Sequence, residues 1–168
     1  MTGTERNGAL MRKTRIAAGL GAAAAVMVMA TPAHASTWDP DIHSIKNTAT
    51  GKCLSGSGRT VTQVDCGLPV SGGVRSTDWT FSGDPAGYPR LYRNIATGLC
   101  LDTNGTSVYL SGCNADDPGQ WWWWLGNDYY IAMRNNMDAV LTGWNTGGVS
   151  ITYWSQEDAS RKNNWRIN

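Results

Sequence analysis

The sequence predicts an all-β domain made of three similar units with pseudo-threefold symmetry. Three observations carry that prediction. After a short leader, no stretch keeps the apolar periodicity of an amphipathic helix. The segments "IKNTATGKCLSG" and "YRNIATGLCLDT" align without a gap, and "AMRNNMDAVLTG" is a worn third copy in which Val140-Leu141 takes the Cys-Leu place. Trp79, Trp122 and Trp165 recur at intervals of 43 residues, each followed two positions later by a further apolar residue, Phe81, Trp124 or Ile167. That alternation is the signature of a strand with one buried face. Units this small cannot bury their own apolar faces, so the three must close around a shared core.

The leader comes first. Arg12, Lys13 and Arg15 precede the apolar run "IAAGLGAAAAVMVMA", and Ala33-His34-Ala35 forms a small-x-small cleavage site. Residues 1–35 are therefore predicted to be a signal peptide, with Ser36 as the first residue of a secreted protein; Met11 offers a second start. The run is too short and too rich in alanine for a membrane span, so no membrane insertion is expected. Residues 36–168 suit one domain with a modest core. They carry ten basic and twelve acidic residues with no charge run. Nucleic acid and acidic membrane surfaces are accordingly poor partners.

All four cysteines, Cys53, Cys66, Cys100 and Cys113, fall in the exported part, where an oxidising compartment favours two disulfides. Three connectivities exist. Two equal separations of 13 residues favour Cys53–Cys66 and Cys100–Cys113. Zinc is the competing reading, but the spacing is not C-x-x-C and His43 is the one histidine beyond the leader. No metal and no other cofactor is expected.

The first unit, about 42–82, opens on "IKNTATGKCLSG" and closes on "TDWTF". The second, about 89–125, reads as strands "RLYRNI", "LCLD", "TSVYLS" and "QWWWW", punctuated by Gly98, Asn104-Gly105 and Asp117-Pro118-Gly119. The third, about 129–168, runs to "NNWRI". On its strand, Trp122 shares a face with Trp124, and both are expected in the core. Trp121 and Trp123 face the other way, where the other units have Asp78 and Thr80, or Asn164 and Arg166. The shared core does not require them. Either they are covered locally, by the strand around Tyr129-Tyr130 or the Trp38 segment, or they form an exposed contact patch.

These residues resemble the ricin B-chain lectin family, whose repeats open on Gly-x-Cys-Leu-Asp and close on Gln-x-Trp. "GLCLD" and Gln120-Trp121-Trp122 match well; the resemblance spans roughly 42–168 and is partial in the first repeat and weak in the third. The middle repeat is also similar to actinohivin-type lectins, through Leu101-Asp102-Thr103-Asn104, Val108-Tyr109, Cys113-Asn114 and Gln120-Trp121-Trp122. The resemblance implies a β-trefoil that binds a glycan or polysaccharide. It places sugar contacts at Asp102, Tyr109 and Asn114, with Gln120 supporting them from the closing strand. These side chains have the chemistry that sugar binding needs. A carboxylate and an amide grip neighbouring hydroxyls, and an aromatic ring covers the C–H face of a pyranose. Taken singly, Asp102 and Asn114 would also serve as turn caps. The first repeat has Ser55, Thr62 and Gly67 at these places and is expected to bind nothing. The third has Thr142 and Thr152, with Trp154 where many such repeats carry a stacking aromatic. A single site implies low affinity for a free monosaccharide.

Enzyme readings fare badly. One histidine and four paired cysteines supply neither a Ser-His-Asp nor a Cys-His system. The adjacent carboxylates Asp116-Asp117 lie in a Pro-Gly turn and read as a solvated loop rather than a glycosidase pair. Asn104-Gly105-Thr106 fits an N-glycosylation acceptor. The rival of the lectin reading is a scaffold for protein contacts, whether protease inhibition or self-association, motivated by the degenerate repeats and the pair Trp121/Trp123.

Overall fold

The computed structural model describes residues 38–67, 73–82, 89–125, 130–154 and 162–168. The predicted signal peptide and Tyr129 lie outside them. Twelve short strands follow, four to a unit. The first unit has β1 (Ile45–Asn47), β2 (Cys53–Ser57), β3 (Thr60–Val64) and β4 (Trp79–Phe81). The second has β5 (Arg90–Asn94), β6 (Cys100–Thr103), β7 (Val108–Ser111) and β8 (Trp121–Leu125). The third has β9 (Tyr130–Met133), β10 (Asn136–Gly143), β11 (Val149–Tyr153) and β12 (Trp165–Ile167).

The outer strands of the units close a six-stranded antiparallel barrel. Ladders join β4 to β5, β5 to β8, β8 to β9 and β1 to β12. The bridges His43↔Trp79 and Tyr130↔Asn164 complete the ring between β1 and β4 and between β9 and β12. Closure removes the free edges that a row of such short strands would otherwise expose. The inner strands pair as hairpins, β2–β3, β6–β7 and β10–β11. Each hairpin turn hands a carbonyl to the next hairpin. Leu110 N–H donates to Arg59 O (2.9 Å), Ile151 N–H to Thr106 O (3.3 Å) and Gln63 N–H to Gly147 O (2.8 Å).

The core is built in threes. Leu54, Leu101 and Leu141 are fully buried, as are Trp79, Trp122 and Trp165. Each indole N–H donates to the carbonyl of its own unit's leucine, at 3.0, 3.0 and 2.9 Å. A buried indole needs such a partner, and the regular strand-to-hairpin geometry supplies it three times. The place of Leu110 and Ile151 is held in the first unit by Gln63, 4% exposed. Its amide accepts from Thr50 Oγ1 (2.7 Å) and donates to Trp144 O (3.0 Å) and Gly148 O (3.2 Å), so it ties the first unit to the turn of the third hairpin. Phe81 is buried beneath the His43 ring, with centroids 4.9 Å apart. Trp124, expected in the core, is instead half-buried at its edge, as is Ile167.

The disulfides join Cys53 to Cys66 and Cys100 to Cys113. The ladder of the third unit runs Val140↔Thr152 and Thr142↔Ser150. Ser150, not Thr152, therefore stands in the place of Tyr109: the turn has one more residue than in the other hairpins, and the stretch from Ser150 to Trp165 is two residues longer than that from Tyr109 to Trp122. By the same register Val140 and Trp154 occupy the places of the two half-cystines. Trp154, 38% exposed, meets the Tyr130 ring edge-on at 4.3 Å.

Candidate functional site

On the β6–β7 hairpin, Asp102 lies directly opposite Tyr109. Leu101 enters the core, so strand alternation turns Asp102 outward. It is nevertheless only 3% exposed, because a single 3-10 turn, Pro118–Gln120, folds over it. Asp117 caps that turn by accepting from Gly119 N–H (2.9 Å), and Pro118 supplies the fixed φ of its first position. A Cβ on Gly119 would run into Thr103 O and stand 2.7 Å from Asp102 Oδ1. Only glycine lets the turn come this close.

A polar network fills the space beneath. Ser111 Oγ donates to Asp102 Oδ2 (2.5 Å). Gln120 Nε2 lies 2.6 Å from Ser111 Oγ, 2.9 Å from Gly112 O and 3.3 Å from Asp102 Oδ2. Gln120 Oε1 accepts from Asn114 N–H (2.9 Å). Gln120 is thus an internal brace, 1% exposed, joining the carboxylate to the loop that carries Asn114. Asp102 does not cap the Asn104-Gly105 turn, whose closure falls to Thr103 Oγ1 and Asn104 Oδ1. Asn114 is exposed and does form a turn cap, its Oδ1 accepting from Asp116 N–H at 3.0 Å. Its amide nitrogen has no acceptor among the described residues. Tyr109 is half-buried and flanked by Thr60 of the first unit. Burial raises its phenol above the ordinary value, and the negative charges of Asp102 and Asp117 and the hydrogen bond to Asp102 add to the rise. The phenol therefore stays a neutral donor at physiological pH.

Trp121 and Trp123 are both half-buried. Trp121 Nε1–H donates to Ala115 O (2.9 Å), and the Arg134 guanidinium lies 5.4 Å from its ring centroid. The indole thereby holds the 113–117 loop at the residue next to the one that Gln120 holds. Trp123 packs against Tyr130, Ala132 and Val140. The Trp38 segment covers neither; Trp38 pairs with Ser82 and carries the Arg93 guanidinium at 5.5 Å.

The equivalent places in the other units are not assembled in this way. Ser55 Oγ donates to Ser76 Oγ (2.9 Å), and the Thr142 and Thr152 hydroxyls pair at 2.6 Å. The positions of Gln120 are held by Thr77 and Asn163, both buried, each with a side-chain oxygen that has no partner among the described residues. Sequence reasoning missed Ser111 and read Asp117 and Gly119 only as turn residues. Ser111 was findable, since it lies two residues from Tyr109 on the same face; the approach of Gly119 depends on the turn and left no such signal.

Residues 41–165 match the family model described as the ricin-type beta-trefoil lectin domain. Among solved structures, the chain is similar to the C-half of an earthworm R-type lectin in complex with GalNAc. Identity is 19%, coverage 77% of this chain and 98% of that one, and the TM-score 0.56. It is also similar to the designed threefold-symmetric protein ThreeFoil, at 18% identity and TM-score 0.56 over 75% of this chain and 96% of that one. A third likeness is to a non-toxic homologue of type II RIPs from Momordica charantia in complex with α-methyl-D-galactoside. It shares 14% identity with a TM-score of 0.59, over 77% of this chain and 48% of that one. At these identities the likeness is one of fold. No match was found among curated protein sequences.

Proposed function

The chain belongs to the ricin-type β-trefoil lectin family, and from that premise we propose that it is a secreted, non-enzymatic protein that recognises a glycan through its middle repeat. The domain is residues 36–168, released from a signal peptide at 1–35. Two disulfides are compatible with an extracellular setting.

One observation carries the choice of repeat: the bonded network of Asp102, Ser111, Gln120 and the Asn114 backbone, which the first and third units lack. Ser111 and Gln120 hold Oδ2 and Tyr109 also bonds the carboxylate, so a sugar hydroxyl meets only the small edge that the turn leaves exposed and donates to a lone pair there. The free amide of Asn114 donates to a neighbouring oxygen, and Tyr109 offers its ring or hydroxyl. Prior fixation of these groups lowers the ordering cost of binding. The rival scaffold reading drew on the degenerate repeats and on Trp121 and Trp123; the contacts these two make within the chain favour the glycan reading over it.

A glycan array probed with the wild type and with Asp102→Ala tests the proposal, with thermal melts to confirm folding. GalNAc and galactose glycans come first, given the earthworm and Momordica charantia complexes. Binding is expected to fall by tenfold or more, about 1.5–3 kcal/mol for a lost charged hydrogen bond. Equal binding by both proteins removes the middle-repeat site.

A further inference from the structure

A row of side chains in register leads away from the middle-repeat site and across the boundary to the first lobe. Asp102 stands opposite Tyr109 on β6–β7, Tyr109 opposite Thr60 on β7–β3, and Thr60 opposite Ser57 on β3–β2. Directly paired residues of antiparallel strands share a face, so all four side chains lie on the face that carries Asp102. Exposure rises along the row. Asp102 is buried under the Pro118–Gln120 turn, Tyr109 is half-buried, and Thr60 and Ser57 are exposed. The hydroxyls of Thr60 and Ser57 have no hydrogen-bond partner among the described residues.

The row ends in an open cleft of about 360 Å³. Ser57 and Gly58 of the first hairpin, Val74 and Ser76 ahead of β4, and Ala96 and Thr97 of the β5–β6 turn border it. Its continuity with Asp102 follows from one local feature. The first hairpin turns in the two residues Gly58-Arg59, which carries its ladder out to Ser57↔Thr60, whereas the second hairpin ends its ladder at Thr103↔Val108. Where the second lobe meets the third, Ser107 faces Ser150 and Ser150 faces Thr142, so the matching row has no carboxylate at its head.

We propose that the ligand is a neutral oligosaccharide whose end residue is held at Asp102 and whose following residues run along Tyr109, Thr60 and Ser57 into the first-lobe cleft. The inference rests on the reading of Asp102 and extends it. Three strand spacings of about 4.8 Å set the ends of the row roughly 14 Å apart, more than one pyranose ring covers and within reach of a trisaccharide. The cleft lining carries no charged side chain, so it selects neutral sugars and is too weak to hold one alone. The Thr60, Ser57 and Ser76 hydroxyls donate to and accept from ring hydroxyls, and Val74 and Ala96 offer apolar surface to ring C–H groups. Weak subsites joined on one ligand act at high effective concentration, which raises affinity without a second carboxylate.

The test is calorimetric titration of the purified protein with methyl α-galactoside and with α-linked galactobiose and galactotriose, which present one end residue at three lengths. Backbone amide shifts are followed in parallel. Galactotriose is expected to bind at least about tenfold more tightly than the methyl glycoside, as two or more added neutral hydrogen bonds require. It is expected to shift Ser57, Thr60 and Thr97 in addition to Asp102 and Tyr109, which the methyl glycoside also shifts. Thr60→Val and Ser57→Ala, verified as folded by their melts, are each expected to narrow the gap between the two ligands severalfold, one such bond apiece. Asp102→Ala is expected to weaken all three ligands. Equal affinity at every length, lost in Asp102→Ala, overturns the track and leaves the middle-repeat site standing. So does length-dependent binding that leaves the amides of Ser57, Thr60 and Thr97 unmoved. Binding indifferent to Asp102→Ala, or none by any of the three ligands, overturns the middle-repeat reading and the track with it.

Discussion

Trp121 appeared in the sequence as a surplus aromatic and in the fold as a loop holder. Its indole N–H reaches Ala115 O, one residue past Asn114. Trp121→Phe keeps a ring for Arg134 and deletes that donor. The exposed carbonyl turns to water, so stability should fall by no more than about 0.5–1.5 kcal/mol. Glycan affinity should fall severalfold, because the Asn114 loop loses the bond that holds it to the closing strand. Calorimetric titration beside a thermal melt separates the two effects. Tyr92 is the opposite case. It is 1% exposed, its hydroxyl has no partner among the described residues, and burial pushes the phenol far above its ordinary value. Tyr92→Phe is expected to stabilise the fold by about 1 kcal/mol, the relief of an unsatisfied buried hydroxyl. A phenol whose folded value is raised contributes fully below its unfolded value, near pH ~10, and loses its contribution as pH climbs towards the folded one. The variant should therefore also lose less stability in alkali, read from melting temperatures across that range. Asp102, Tyr109, Asn114 and Gln120 were legible because their spacing is fixed by one hairpin and one closing strand. The unsatisfied hydroxyl of Tyr92 and the indole–carbonyl bond of Trp121 were not, because each depends on a neighbour remote from any motif.

Among the elements, the third hairpin departs furthest from its siblings. Its turn is one residue longer, and it is locked by Gln63 from the first unit. The lock depends on Gly143, where a Cβ would stand 2.5 Å from Gln63 Oε1. Gly143→Ala is expected to cost about 1–3 kcal/mol, the usual penalty for overfilling a tight site, measured by denaturant unfolding. The two disulfide-bearing hairpins could be counted off the sequence because cysteine spacing and ladder register coincide there. In the third unit that guide is absent, and a constant offset carried back from Trp165 placed Thr152 two residues past the one that faces Thr142, because the chain from Ser150 to Trp165 is two residues longer than its counterpart in the second unit. Turn length is set by backbone geometry, to which the apolar pattern is blind.

For the molecule as a whole, threefold symmetry, strand count and disulfide pairing followed from the repeats, since each unit has to bury its tryptophan and its leucine in a common centre. Covalent reinforcement is unequal. The first two lobes carry disulfides, whereas the third has Val140 and the Trp154–Tyr130 contact in their place. Each disulfide closes a short loop worth roughly 3 kcal/mol, mainly by restricting the unfolded chain. Reduction should therefore lower the melting temperature sharply. Cys53→Ser/Cys66→Ser and Cys100→Ser/Cys113→Ser should each account for about half of the drop in a differential scanning experiment.

Ser44 and Asn168 exchange two backbone hydrogen bonds, 3.0 and 2.9 Å long. The first and last strands of the described fold thus lie clasped side by side, and the order in which the lobes are translated is a matter of where the necklace was cut. A gene that splices these neighbours and opens instead between Ser82 and Arg90 would string the same beads in a new sequence, and the cradle around Asp102 would arise from the first lobe made rather than the second.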